Sequence, residues 1–191
     1  MNLGAALLIA FVVSSETGWL QQDGRGEISE KPVAGLYDTA DGKLGVQSLN
    51  PITLKDKSRN KDLHLKVSFP KSDGVFPIIV WSHGMYGSKN SYTPLVNHWT
   101  SHGYVVIQPT HSDSISLMSA EERRSTLKNP KRDKVQDWES RPKDIKFVLD
   151  SLDEIAKASP ELAKRMNRKV IGVGGHSFGA FTTQLVAGTT L

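Results

Sequence analysis

The sequence predicts an α/β fold in which a mostly parallel sheet follows antiparallel amino-terminal strands, and three observations carry that prediction. Residues 75–81 contain no polar side chain, as in a central strand covered on both faces. They open the succession strand, loop, amphipathic stretch (92–102) and strand (104–108, closed by Pro109), the order of a right-handed βαβ unit. Val170, Ile171 and Val173 make a third apolar run, and residues 178–186 can start a helix directly after it, across the turn Gly175-His176-Ser177-Phe178-Gly179.

Each remaining element follows in chain order. Residues 3–13 are an apolar run of Leu, Ala, Ile, Phe and Val, followed by Ser14 and Ser15 before Glu16. The run is too short to span a bilayer and suits the core of a secretory signal, with Ser15 as the cleavage position; the plainer alternative is a buried first strand or helix. On the first reading residues 1–15 are a signal peptide, residues 16–32 a polar linker, and the protein is secreted or periplasmic with no stable membrane span. Residues 33–37, 45–54 and 63–69 read as short strands, with Asp41-Gly42 and the polar cluster 55–61 as turns. In 63–69 apolar and polar residues alternate strictly, as in an antiparallel edge, which puts His64 on the wet face.

Residues 111–140 are rich in Ser, Lys, Arg, Asp and Glu, and they leave from the carboxyl end of a parallel strand, the edge where α/β sheets bind ligands. They are expected to be a rim or lid over a site, or else a solvated excursion with a short helix near 120–127. Arg141-Pro142 is expected to begin a helix whose buried face carries Ile145, Val148, Leu149, Leu152 and Ile155.

Composition narrows the function classes. The 191 residues make one domain, residues 33–191, and the net charge of +4 is dispersed rather than gathered into a stripe, so nucleic acid is not an expected partner. With no cysteine, disulfides, thiol chemistry and thiolate metal sites are excluded. His111-Ser112-Asp113 offers two potential metal ligands without a third at a recognisable spacing, so neither metal nor cofactor is expected.

The turn at 175–179 fits G-x-S-x-G, the pattern of a nucleophile elbow. Small residues two places either side of the serine let strand and helix approach closely, and the strained turn holds the hydroxyl out at the carboxyl edge of the sheet. A serine hydroxyl needs a base, a group to orient that base, and donors for the oxyanion formed when a carbonyl is attacked. Ser177 is the candidate nucleophile, and the backbone N–H of Phe178 is one candidate donor. The second is assigned to the N–H of Met85, in the loop after the first central strand, where His83-Gly84-Met85 has the His-Gly pattern of an oxyanion loop. His83, Tyr86, His111 and Trp138 are candidates for the substrate rim.

Trp81-Ser82-His83-Gly84 with Gly87, Arg141-Pro142-x-Asp144-Ile145, and Gly175-His176-Ser177-Phe178-Gly179-Ala180 together resemble the α/β-hydrolase superfamily. Within it they are most similar to dienelactone-hydrolase-like, platelet-activating-factor-acetylhydrolase-like and chlorophyllase-like esterases. The resemblance covers residues 33 to the end. It implies an α/β-hydrolase fold and a serine hydrolase that cleaves a small-molecule or lipid-like carboxylic ester. True dienelactone hydrolases use a cysteine nucleophile, which this chain lacks.

In that superfamily the triad runs Ser, then Asp or Glu, then His along the chain, but residues 178–191 contain neither acid nor histidine. The base and acid are therefore expected beyond residue 191, with a fold truncated after the elbow and an elbow strand left as an exposed apolar edge. The alternative is a non-catalytic hydrolase-like binding protein or an inactive fragment. Of the histidines present, His83 and His111 follow central strands and are minor candidates for the base. His176 is expected to pack beside the elbow, and His98 and His102 to lie on the surface. Asp144 is expected to sit in the first turn of its helix in a structural role rather than to be the triad acid.

Overall fold

The computed structural model describes residues 7–13, 40–129 and 135–189; the strand expected at 33–37 lies outside them. Its strands are β1 (Leu7–Val13), β2 (Val46–Asp56), β3 (Lys61–Pro70), β4 (Phe76–Ser82), β5 (Val105–Pro109) and β6 (Met166–His176). Its helices are α1 (Thr93–Ser101), α2 (Ala120–Lys128), α3 (Val135–Asp150), α4 (Leu152–Ala156), α5 (Pro160–Arg165) and α6 (Phe178–Val186). The strands form one sheet in the order β1-β6-β4-β5-β3-β2. β1, β6, β4 and β5 run parallel, while β3 is antiparallel to both β5 and β2.

β4 shows why an unbroken apolar run predicts a central strand. Ile78 and Val80 face one side, where they join Val105, Ile107, Ile171 and Val173 beneath Ile145, Val148 and Leu162 of the helices. Ile79 and Trp81 face the other side, with Val106, against Val96 and Trp99 of α1. Successive side chains point to opposite faces, so only a strand roofed on both sides can bury them all. The Trp81 and Trp99 rings meet edge to face with centroids 4.9 Å apart. On this second face an apolar cavity of about 340 Å³ runs between Trp81, Trp99, Tyr104 and the flat glycines Gly172 and Gly174.

Three elements differ from their sequence expectations. β3 is not an edge: its alternation is real, but β2 covers it on one side and β5 on the other. The elbow strand is not an edge either, because Leu7–Val13 pairs with it from Leu7↔Val170 to Val13↔His176. An apolar run at either end of a chain can complete a sheet as readily as it can direct export, and local sequence does not separate the two. The helix expected to start at Arg141-Pro142 begins at Val135 and carries Pro142 in its interior, so Asp144 lies mid-helix rather than in a first turn. Pro142 has no N–H to offer Trp138, but the rest of the ladder holds the helix together across that gap.

α2 is the short helix expected near 120–127. It opens with a capping box in which the Ser119 hydroxyl accepts from Glu122 N–H and the Glu122 carboxylate accepts from Ser119 N–H. It buries none of its residues, so the cap rather than core packing defines where it starts. Among the described residues no helix is long and apolar enough to cross a membrane.

Candidate active site

β4, β5 and β6 all end on the same edge of the sheet, and the elbow stands at the end of β6. Ser177 has φ 52° and ψ −118°, a left-handed conformation that costs a non-glycine residue about 1–3 kcal/mol and persists only where the surroundings impose it. They do so through the flanking glycines. A Cβ on Gly179 would stand 2.0 Å from the Ser82 carbonyl oxygen, and one on Gly175 would stand 2.3 Å from the Gly179 backbone. The turn closes only because neither side chain exists. Ser177 is exposed, and the N–H of Phe178 is the first of the unpaired donors at the start of α6.

Facing the elbow is the loop after β4. Gly87 N–H donates to the Gly84 carbonyl, and Tyr86 sits at φ 64°, so the chain reverses tightly through Met85. The Tyr92 hydroxyl joins the two sides: it accepts from Gly84 N–H at 3.3 Å and shares a 2.8 Å hydrogen bond with His176 Nδ1. His176 thus packs beside the elbow through a specific partner. Trp138 reaches the same edge from α3, its ring centroid 5.4 Å from Phe181 and 6.4 Å from Phe178. Tyr86 and α2 border a cavity of about 530 Å³, with Met118, Glu121 and Ser125 along it.

His83 and His111, expected at the rim, lie beneath it. His83 is 2% exposed; its Nδ1–H donates to the Gly84 carbonyl at 2.6 Å, and its Nε2 accepts from His111 N–H at 3.1 Å. Burial, the adjoining His111 and the charge of Arg141 push its pKa down to about 3, so it is neutral and both ring nitrogens are occupied. Neither nitrogen is left to take a proton from Ser177. His111 is fully buried and is likewise pushed down, first by that burial and then by Arg141.

The ring of His111 belongs to an array that sequence reasoning missed. The Ser82 hydroxyl lies 2.9 Å from His111 Nε2, and His111 Nδ1 lies 2.8 Å from Asp144 Oδ2. These partners fix the tautomer: Nδ1–H donates to the carboxylate, and Nε2 accepts from the hydroxyl. Lys61 and Arg59 close on the other side of Asp144 at 2.8 and 2.7 Å. Burial alone would raise the Asp144 pKa, but the His111 N–H and the Lys61 ammonium hold it at about 2. Ser82, His111 and Asp144 have the distances of a Ser–His–Asp triad, yet all three are sealed from solvent. The signals for Asp144 and Ser82 were their places in Arg141-Pro142-x-Asp144 and Trp81-Ser82-His83-Gly84; nothing local pointed to Arg59 or Lys61.

Next to this array lies Arg141, also fully buried. It bonds both oxygens of Asp113, at 2.9 and 2.7 Å through Nη2, and Nη1 donates to the His83 carbonyl at 2.6 Å. Asp113 in turn accepts from Tyr86 N–H at 3.1 Å. Here too burial would raise the carboxylate pKa, and the guanidinium outweighs it, so Asp113 is held below the ordinary range.

The chlorophyllase family model matches residues 36–189, most of the chain. The chain belongs to the chlorophyllase family. Among curated relatives, chlorophyllase-1 of Citrus unshiu is 31% identical over 104 residues, covering 49% of this chain and 32% of that protein. Chlorophyllase type 0 of Chenopodium album is 33% identical over 60 residues, 31% of this chain and 17% of that one. The solved ferulic acid esterase of Streptomyces cinnamoneus superposes with a TM-score of 0.56 at 18% identity, covering 80% of this chain and 57% of that one. That likeness shows the fold, an α/β-hydrolase. The matches span about a third or less of the curated chlorophyllases' length and little more than half of the esterase.

Proposed function

We propose that this protein is a serine hydrolase cleaving a carboxylic ester through an acyl-enzyme on Ser177. The observation that carries this reading is the backbone of Ser177: a strained left-handed conformation, on an exposed residue, at the end of a central strand and at the start of a helix. Strain of this kind is retained where it presents a reacting group. The assigned oxyanion donors are the N–H groups of Phe178 and Met85, and Tyr86 and Trp138 are the assigned rim. Membership of the chlorophyllase family supports an ester substrate, which we take to be a small-molecule or lipid-like one.

The base and acid are proposed to come from polypeptide outside residues 1–191. Two observations support this: both buried histidines of the edge are fully engaged, and the matched relatives are longer than the match. The experiment is turnover of p-nitrophenyl esters together with fluorophosphonate labelling, on the protein that includes the polypeptide proposed to supply the base and acid. Ser177→Ala should lower turnover by about a thousandfold or more and remove the label; retained turnover would sink the assignment. A second reading, a non-catalytic hydrolase-like binding protein, is favoured by one observation, that no described side chain hydrogen-bonds the Ser177 hydroxyl. Labelling no faster than that of free serine would support it.

Export is proposed from the apolar run at residues 3–13, with β1 as the competing use of the same residues. Amino-terminal sequencing of the mature protein separates the two. A start at Glu16 means a leader, and a retained Leu7–Val13 means a structural strand.

A further inference from the structure

The two halves of the assigned oxyanion hole come from separate parts of the chain, the loop after β4 and the turn after β6, and two side chains tie them together from opposite sides. On one side stands Tyr92, whose hydroxyl takes Gly84 N–H from the loop and bonds His176 of the elbow. Its own backbone is left-handed, φ 63°, at the head of α1, and its ring stands edge to face on Trp81, 5.8 Å between centroids. On the other side stands Arg141. Its guanidinium donates to the loop carbonyls of His83 and Gly84, at 2.6 and 3.3 Å, while its Cζ lies 4.2 Å from the centre of the Phe178 ring, so it stacks on the elbow residue assigned the other donor. Asp113 orients the guanidinium and also takes Tyr86 N–H, which fixes the residue after Met85.

We propose that Arg141 and Tyr92 are positioning residues that clamp the Met85 and Phe178 amides into a single oxyanion hole. This rests on the serine-esterase reading. The physical reason is that preorganised donors stabilise a developing oxyanion only if they need not move when it forms, and donors on two independent loops would otherwise have to be ordered during the reaction. Neither residue touches substrate; each acts through backbone amides.

The experiment is run on the protein that includes the polypeptide proposed to supply the base and acid, with Tyr92→Phe, Arg141→Lys and the double variant. Tyr92→Phe keeps the ring packing, so it folds; it should lower kcat about tenfold with KM near the wild-type value, because a donor displaced in the transition state weakens that state rather than ground-state binding. Arg141→Lys, which loses the planar fork, should lower kcat about a hundredfold. The double variant should lose less than the product of the two, because both act on one unit. Amide hydrogen exchange is read on the same samples. Exchange at Met85 and at Phe178 should rise together in Tyr92→Phe, although the lost hydroxyl bonds neither amide. An unchanged kcat in Tyr92→Phe, or exchange that rises only on the loop side, overturns the clamp. If the wild type shows no Ser177-dependent turnover, the esterase reading fails by itself, and paired exchange at the two amides still decides whether the clamp exists.

Discussion

Two serines stand at the carboxyl ends of neighbouring strands, Ser82 on β4 and Ser177 beyond β6, and each has what the other lacks. Ser82 pairs in register with Gly175 and has a complete relay, Oγ to His111 at 2.9 Å and His111 to Asp144 at 2.8 Å. It is also fully buried and sits on regular strand backbone at the end of β4. Ser177 is exposed, strained and placed at a helix start, and among the described residues no histidine bonds it. Triad distances alone therefore do not make an active site. A relay sealed in the interior holds a proton in place and satisfies buried polar groups, whereas a reacting serine must reach solvent with its backbone bent toward the oxyanion donors. Inside, the same three residue types tie the ends of β4 and β5 to α3.

The comparison is broken most severely at the elbow. Gly179→Ala would push a Cβ to within 2.0 Å of the Ser82 carbonyl, which is strand backbone and cannot yield. The expected loss is about 3 kcal/mol of stability, together with the fluorophosphonate label on Ser177. Urea unfolding and labelling check it. A Gly179→Ala variant with wild-type stability and labelling would mean that the turn is not held closed by contact with β4, and the special status of Ser177 would go with it.

That contact also explains which parts of the molecule could be read in advance. The strand–turn–helix at 170–186 is local: apolar run, glycine spacing and helix follow one another in sequence, so a pattern reader sees the whole device. The central strands were legible for the same reason. The buried array was not, because Lys61, Ser82, His111 and Asp144 come from four separate segments that only the sheet order brings together. Arg141-Pro142 misled because proline usually marks a helix start, and nothing in the polar stretch before it announces that Val135 already begins α3. β3 reads as an edge because alternation reports one wet face and not what lies beside the strand.

The interior half of the comparison is tested by acid. His83 has a folded pKa of about 3, below the unfolded value of about 6.5, so its contribution to stability is present above pH 6.5 and is lost as pH falls toward 3, while the unfolded chain takes up a proton that the folded chain does not. Between pH 7 and pH 5 this one group should cost about 2 kcal/mol of unfolding free energy. His111 is pushed down as well and adds in the same direction. Asp144, held at about 2, contributes stability that is kept above pH 4 and lost between pH 4 and pH 2. Urea titrations at pH 5 and pH 7 check the first interval, and His83→Gln should reduce the pH slope by about one proton. A stability that is flat from pH 7 to pH 5 would mean that these rings are protonated in the folded protein, and Ser82 would then have no neutral imidazole to donate to.

The smallest expected effect on turnover is the most discriminating. Ser82→Ala removes one hydroxyl and leaves His111 Nε2 without its donor, in a site too enclosed for the rest of the array to rearrange. The loss should be about 1–3 kcal/mol, the cost of leaving one buried acceptor unsatisfied, read as a shift in the urea midpoint with the slope unchanged. Turnover and labelling at Ser177 should stay within about threefold of wild type, because the His111 ring is still held by Asp144 and the His111 backbone N–H still donates to His83 Nε2. Loss of turnover in a folded Ser82→Ala protein would reverse the assignment, placing the working nucleophile in the interior and reducing the elbow to scaffold. If turnover persists with only that stability cost, then two serines at neighbouring strand ends, one served by a complete relay and one by a strained turn, have been separated by access alone.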